Sequence, residues 1–540
     1  MKRYISLILW TAALVVASVS CDKHGLGLDD RIDYQYGKAL KHDLIVLGGK
    51  LENPYKTENM KKALAAAYPT KAGRVDVKTT NLYVRFLPRD DAEYQSLLDM
   101  GVELVDHPVD FEILVDGDYY QDPSVGEDNY TWQYAVVPRD FVFPDIRHEV
   151  LDECFLAENS PATKADGLDW EYIEEVSYRL TGNGNMLSAA DEEEDCVVAN
   201  ASVKAATKSA PSGRITIVDP DANGGKPVGV SGVKVSCNAF VRFSSCYTDR
   251  DGYYTMPKTF SSKLRYRLVF KNEIGFAIGV NLILVPASVS TLGKASASGI
   301  DITVTQESED KLFRRCVANN AAYDYIKRCS ADDMNITPPP GDLRIWIFPF
   351  LDCSSAVMLH HGTVTGEGAI AKFLGVYAKL IQYFAPDITI GTKGKNTYKE
   401  IYSAVTHEMS HSSHFAKAGV GYWNKFIGYM LSEYVKNQTV YGDGMSEDAG
   451  YCEVGEMWAY YMQSRMYKER YGGSMPTFGN SYWFHPQIFR ALDERGLSRS
   501  KIFKVMDGSV VSRKTLSAAL VKAYPEKRTT IETIFNRYGE

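Results

Sequence analysis

The chain has no excess of basic residues, because 60 lysines and arginines stand against 68 aspartates and glutamates and the formal net charge is −8. Nucleic-acid binding would need a basic footprint, so that class of function is not supported. Only one apolar run approaches membrane length, and it lies near residue 10, which excludes a protein with several membrane spans. The hydrophobic share of 45% and the charged share of 24% exclude wholesale disorder.

None of the nine cysteines lies in a CxxC motif, so zinc held by cysteines is not expected. Setting aside Cys21 leaves eight, an even number that suits disulfides outside the cytoplasm. Cys237 and Cys246 flank one predicted hairpin and could pair. Cys316 and Cys329 form a second candidate pair, although the sequence alone does not set the connectivity.

Residues 1–21 have the pattern of an export signal, with two basic residues, an apolar run and small residues that lead to Cys21. The segment resembles bacterial lipoprotein signals, in which this cysteine becomes the acylated first residue, although Ser18 stands where a leucine-like residue is preferred. The polar stretch 22–30 suits a tether. The resemblance implies a lipid anchor in the bacterial cell envelope, at the outer membrane or cell surface. The alternative is an ordinary signal peptide with a coincidental cysteine.

Changes in residue composition and hydrophobic patterning along the chain predict a multidomain α+β protein. The acidic run 191–195 and the Ala/Ser/Lys-rich stretch 199–213 indicate a linker. We expect a signal peptide at 1–21, a tether at 22–49, an N-terminal α/β module at 50–185, a linker at 186–211, a β-sandwich at 212–306 and a mostly helical domain at 307–540.

Hydrophobic periodicity, caps and breakers predict individual elements. The predicted helices are 57–68 with Thr57 as a possible N-cap, 90–100 with Asp90 or Asp91 as the cap, 367–385, and 398–417 with Gly419 as the stop. The predicted strands are 81–87, 102–106, 111–115, 343–350 and 388–391.

Segment 212–306 has short alternating apolar stretches separated by Asp/Gly/Asn turns, as a small antiparallel sandwich requires. Residues 213–218, 230–235 and the Thr-Asp-Arg-Asp-Gly-Tyr turn at 248–253 resemble the carboxypeptidase-regulatory-like domain. The resemblance implies a structural or adhesive module without catalysis.

A metal-binding motif, His407-Glu408-Met409-Ser410-His411, lies in the predicted helix 398–417. Two histidines four residues apart share one helix face, so both imidazoles can reach the same ion. Glu408 lies on nearly the same side and suits the role of general base toward a water on that ion. The pattern therefore predicts a catalytic Zn²⁺ site.

The third ligand is not given by the motif itself. Lys417 occupies the position where metzincins have a third histidine, and His414 lies too far along the helix to share the ion with His407. Three carboxylates remain candidates, in the order Glu456, Glu453 and Glu433. The second of them could instead hold a histidine in place.

Residues 456–459, Glu-Met-Trp-Ala, resemble the glutamate–x–aromatic–Ala pattern of the ligand helix in gluzincin metallopeptidases. The chain is also similar to zinc-binding lipoproteins of Bacteroides-like bacteria. The resemblance implies a zincin-like C-terminal domain, His407, His411 and Glu456 as zinc ligands, and a substrate laid along an edge strand, for which 343–350 is the candidate. It also implies an oxyanion-holding residue, with Tyr460, Tyr482 and His485 as candidates.

We expect a lipid-anchored zinc metallopeptidase that hydrolyses peptide bonds of extracellular protein or glycoprotein, with Glu408 as the base. Its partners would be that substrate and the membrane, and not nucleic acid. The alternative is a non-catalytic surface-binding lipoprotein, a glycan or protein adhesin with a structural or vestigial zinc site. In that case the aromatic run 482–484 would suit a glycan platform. We expect His360 and His361 to be surface or structural residues.

Overall fold

The computed structural model describes residues 44–539, with gaps at 72–74, 127–128, 165–166, 188–200, 204–209, 281–286, 309, 332–333, 350, 352, 364–385, 438 and 475–481. The predicted export signal, Cys21, the acidic run 191–195 and the predicted helix 367–385 lie outside the described residues. Within the described part of the chain, no helix is both long and apolar enough to span a bilayer.

The fold is multidomain α+β, and its N-terminal region mixes helices and strands. The elements of this region are β1 Val46–Lys50, α1 Thr57–Ala67, β2 Asn81–Leu87, α2 Asp91–Asp99, β3 Phe111–Val115, β4 Gln133–Pro138, β5 Arg147–Cys154 and α3 Trp170–Leu180. Strands β2, β4 and β5 form one antiparallel sheet with β2 in the centre, and β1 pairs with β3.

Most predicted elements of this region are present, with two corrections. Residues 102–106 do not form a strand, because Asp106 binds the backbone of Tyr120 and the ring of His107, and only Val105 makes an isolated bridge. Thr57 is not the N-cap, since the helix begins at Thr57 itself. Asp90 does cap α2, where its side chain accepts a hydrogen bond from the amide of Glu93 at 2.9 Å.

The middle of the chain is a β-rich region of two packed sheets. One has the order β11-β7-β15-β6 with β8 beside β7, and the other places β9 between β10 and β12, with β14 on the far side of β12. The strands are β6 Ala201–Val203, β7 Ser212–Ile217, β8 Val228–Gly229, β9 Val233–Ala239, β10 Arg242–Tyr247, β11 Tyr253–Thr255, β12 Leu264–Asn272, β13 Ala277–Val280, β14 Val289–Ala295 and β15 Ile300–Val304.

Residues 201–203, predicted as linker, are a strand instead. They pair antiparallel with β15, where Val203 lies opposite Ile300. Alternate residues of the two sheets, such as Ile215, Leu268 and Ile302, point inward and are buried together. The linker composition did not reveal this strand because its partner lies about a hundred residues further along the chain.

Both predicted disulfides are wrong, since neither candidate pair is joined by a disulfide bond in the described part of the chain. On the hairpin, Cys237 lies opposite Ser244 and Cys246 lies opposite Val235, so the two cysteines are staggered across the strands. Cys316 and Cys329 lie on one helix, roughly 20 Å apart along its axis, well beyond the reach of a disulfide.

The C-terminal region is mostly helical. Its elements are α4 Asp310–Cys329, β16 Arg344–Phe348, β17 Ile388–Gly391, α5 Tyr398–Ala418, α6 Val420–Asn437, α7 Ala449–Tyr471, α8 Gln487–Glu494, α9 Arg499–Lys504, α10 Arg513–Ala523 and α11 Arg528–Asn536. Strands β13, β16 and β17 form a parallel sheet that joins this region to the middle region. The expectation that 343–350 supplies an edge strand is wrong, because β16 is paired on both sides.

Helices α5 and α7 pack against each other and carry the predicted metal ligands. Helix α5 begins with a capping box in which Thr397 and Glu400 bind each other's backbone amides, and it ends at Gly419, whose φ of 87° favours glycine. The predicted helix and its stop are thereby confirmed.

A loop of the middle region contacts one end of each of these two helices. The buried Asp219 accepts hydrogen bonds from Arg470 at 2.9 Å and from the hydroxyl of Tyr471 at 3.1 Å, both at the end of α7. Asp221 pairs with Lys399 at the start of α5, at 3.1 Å. The loop therefore helps to fix how α5 and α7 lie against each other.

Replacing Asp219 by alanine is expected to destabilise the protein by about 3 kcal/mol, because it leaves the guanidinium of Arg470 without its carboxylate inside the interface. Chemical denaturation followed by circular dichroism measures the change. The exposed Asp251, in another turn of the same region, provides the control, since Asp251→Ala should cost well under about 1 kcal/mol. Equal losses in the two variants would contradict the role given to Asp219.

Candidate metal centre

Three side chains from α5 and α7 converge on one point. The Nε2 atom of His407 lies 3.6 Å from Oε2 of Glu456, and Nε2 of His411 lies 3.4 Å from Oε1 of the same carboxylate. The donor atoms of all three residues lie within 4.8 Å of one another, and all three side chains are buried. This group could hold a metal ion, because imidazole nitrogens and a carboxylate oxygen are common ligands of divalent metals.

Spacing along the helices explains the convergence. His407 and His411 are four residues apart on α5 and so share the face that packs on α7. Glu456 lies on the first half of α7, where the two helices meet. The packing of two long helices side by side therefore brings Glu456 to the two histidines.

The other two candidate carboxylates have different partners. Glu453 binds Arg513 at the start of α10, through the backbone amide at 2.8 Å and the guanidinium at 3.2 Å. Glu433 accepts hydrogen bonds from Asn437 at 2.8 Å and Ser446 at 2.6 Å. The structure therefore brings Glu456, and neither of these two, to the histidine pair.

The third histidine of the motif helix lies apart from this group. His414 is fully buried against the rings of Tyr422 and Trp423. Burial, with a smaller contribution from His411, lowers the pKa of His414 to about 3, so it is neutral at physiological pH. It serves as an aromatic packing residue behind the site.

Glu408 is buried beside the group, and within the described residues neither of its carboxylate oxygens has a hydrogen-bond partner. Burial raises the pKa of Glu408 to about 8, and the nearby His407 only partly offsets this. A buried carboxylate without partners is costly unless a cation lies near it. His411 is also buried, and neither of its two ring nitrogens makes a hydrogen bond within the described structure. A metal ion bound at Nε2 would satisfy one of them.

The pKa of Glu456 is shifted in the opposite direction from that of Glu408. Burial alone would raise the pKa of its carboxyl, but the adjacent His411 and His407 outweigh burial and lower the pKa to about 2. It is therefore an anion at any physiological pH, as a metal ligand must be.

Two polar contacts to the group were not predicted from the sequence. Gln463 on α7 places its Oε1 atom 3.2 Å from Nδ1 of His407, and the hydroxyl of Tyr441 lies 3.4 Å from Oε2 of Glu456. Gln463 follows Glu456 by seven residues, so helical periodicity could have found it. Tyr441 lies in the connection between α6 and α7, where no periodic pattern points to it.

The three candidates for an oxyanion-holding residue lie at different places in the structure. The ring of Tyr460 contacts that of His407 with centroids 4.7 Å apart, and its hydroxyl donates to Tyr482 at 3.2 Å. His485 instead packs on Tyr538, with centroids 4.9 Å apart. Of the three candidates, Tyr460 is in direct contact with the histidine pair.

His360 and His361 lie in a separate cluster, beside Asp342 and Asp387. His361 pairs with both aspartates at 2.9 Å, and His360 reaches Asp342 at 3.2 Å. His361 holds the loop that follows β16 against the start of β17, as expected of a structural residue.

Comparison with known proteins adds no further assignment. No protein-family profile matches the chain, and a search of curated proteins finds no significant match. A function can therefore be inferred only from the residues and their geometry.

Proposed function

We propose that the protein is a zinc-dependent metallopeptidase of the gluzincin type that hydrolyses peptide bonds in extracellular protein or glycoprotein. The observation that carries the proposal is the placement of Glu408, a buried carboxylate with unpartnered oxygens, next to the group formed by His407, His411 and Glu456. A site that only held a metal would not need this additional carboxylate.

Zinc is the metal that suits these donors best. Two imidazoles and one carboxylate are a recurrent ligand set of catalytic zinc, which leaves one position for water or substrate. Magnesium and calcium prefer ligand sets made of oxygen atoms. The described group contains no cysteine, so cluster or thiolate chemistry is not supported there.

Each residue has a definite task in this proposal. His407, His411 and Glu456 would hold the ion, which when bound supplies Lewis acidity toward the scissile carbonyl and toward water. Glu408 would accept a proton from the attacking water and pass it to the leaving amine. A nearby cation would favour the ionised form of Glu408 and so offset the effect of burial on its pKa. Tyr460, in contact with His407, is the nearest candidate to steady the developing oxyanion.

The proposed location rests on residues 1–21 alone. Their two basic residues, apolar run and Cys21 support export and a lipid anchor in the cell envelope. We propose that the N-terminal and middle regions hold the helical region at the cell surface, where extracellular protein substrates are accessible.

A metal-binding role without catalysis is the second candidate. The observation in its favour is the complete burial of the group, since structural metal sites are closed and catalytic sites keep an open position. In that case the protein would be a surface-binding lipoprotein, and Glu408 would have no chemical task.

Removing the metal is expected to abolish hydrolysis and to lower stability together. A chelator should stop the cleavage of casein or mucin, and equimolar zinc should restore it. Zinc at about a hundred times its Kd should stabilise the folded chain by about 2.7 kcal/mol, which appears as a higher melting temperature. Magnesium addition is the control and should restore neither property. Unchanged cleavage in the chelator would contradict the proposal.

A further inference from the structure

The two histidines of the metal group differ in what holds their second ring nitrogen. Nδ1 of His407 lies 3.2 Å from Oε1 of Gln463, whereas Nδ1 of His411 has no hydrogen-bond partner within the described residues. The ring of His407 contacts the ring of Tyr460, and the ring of His411 contacts those of Trp423 and Phe426. The polar environment of the pair is therefore asymmetric.

The contact from Gln463 selects one form of the His407 ring. An amide oxygen can only accept a hydrogen bond, so Nδ1 of a neutral His407 must carry the proton. The lone pair of the ring then lies on Nε2, the nitrogen that faces Glu456 at 3.6 Å. This is the tautomer that a metal ion at the group requires.

Gln463 is well placed to hold this arrangement. It lies on α7 two turns after Glu456, so one helix face supplies both the carboxylate of the group and the acceptor for His407. The ring of Tyr460, one turn after Glu456, packs against His407 between them. The orientation of His407 is thus fixed from one helix by a ring contact and a hydrogen bond.

We infer that Gln463 is a positioning residue for the metal centre, which fixes the tautomer and the orientation of His407. The inference rests on the proposed metal site and goes beyond it, since neither the motif nor the third ligand implies this residue. Because hydrogen-bond partners of metal-binding histidines commonly change affinity by about 10–100-fold, the expected effect is of that size.

The test compares three variants of the full protein by zinc affinity, measured in competition with a chromophoric chelator. Gln463→Leu removes the acceptor and should weaken zinc binding by about 10–100-fold. Gln463→Glu keeps an oxygen at the same place and should restore affinity to the native value or tighter. Gln95→Leu is the matched control, since this exposed glutamine bonds only to Asp99 on α2 among the contacts described, and it should bind zinc as the native protein does.

The visible absorption of the cobalt-substituted protein provides a second measurement that a general loss of packing would not change. Gln463→Leu should alter the intensity of the cobalt bands, because the imidazole is no longer held in one orientation, whereas the melting temperature of the metal-free protein should change little. Native affinity in Gln463→Leu, or equal losses in the Leu and Glu variants, would overturn the role of Gln463 alone. A native protein that binds no zinc would overturn the metal site and this role together.

Discussion

Replacing Glu408 by glutamine is expected to leave zinc bound at one ion per chain and to slow peptide hydrolysis by about a thousandfold or more. Glu408 is not one of the three donors of the metal group, so its loss should not release the ion. The amide that replaces the carboxylate is nearly identical in shape but cannot accept the proton of the attacking water. Removal of a general base typically costs between about 10² and 10⁴ in rate.

The stability of the Glu408→Gln variant provides an internal control. Within the described residues the native carboxylate makes no hydrogen bond, so the substitution breaks none. With a pKa of about 8, the side chain of Glu408 is largely protonated at neutral pH in the metal-free protein. The substitution then exchanges one neutral buried group for another, and the metal-free variant should be about as stable as the native protein. A loss of activity in a well-folded, zinc-loaded variant would then reflect chemistry alone.

The same variant separates the two functions considered for the protein. Cleavage of a protein and mucin panel at the native rate by Glu408→Gln would contradict the peptidase proposal. If neither protein cleaves any member of the panel while both bind zinc, the surface-binding role would gain support.

The second large effect is expected at the third ligand. Glu456→Gln should weaken zinc binding by at least about a hundredfold, because the site loses its only anionic donor in the described group. Glu433→Gln and Glu453→Gln change the same chemistry on α6 and α7, and both should bind zinc with nearly native affinity. Zinc titration of the three variants, each checked for folding by circular dichroism, measures the difference.

Each control carboxylate has hydrogen-bond partners outside the metal group, so its substitution should not affect the metal. Glu433 is bonded to Asn437 and Ser446, and Glu453 to Arg513, so both controls should lose some stability while retaining the metal. Loss of zinc from either control, with retention by Glu456→Gln, would contradict the placement of the third ligand.

The sequence predicted the helix that carries His407 and His411 because the spacing of apolar residues and a glycine stop are local signals. Gly419 ends the helix as expected, whereas the capping box of Thr397 and Glu400 at its start was not predicted. The choice of Glu456 depended on resemblance, since a later helix can bring any of several carboxylates near the pair. In the structure, α5 and α7 pack side by side, and this packing brings Glu456 to the histidine pair.

Other features depend on contacts between distant parts of the chain and could not be predicted from local signals. The disulfide prediction relied on an even number of cysteines, which carries no information about distance. Strand β16 was found, but its parallel neighbours β13 and β17 lie far away in sequence, so its central position was missed. Gln463 was missed although it lies on the same face of α7 as Glu456, because glutamine is not a usual metal ligand and the search along that helix was confined to carboxylates.

The metal content of the purified native protein and of His411→Ala is the most direct test that His407, His411 and Glu456 form one metal site. We expect close to one zinc per native chain, and no zinc above background in the variant. Absence of zinc from native protein prepared with zinc present, or equal zinc in both proteins, would show that these residues do not form the site.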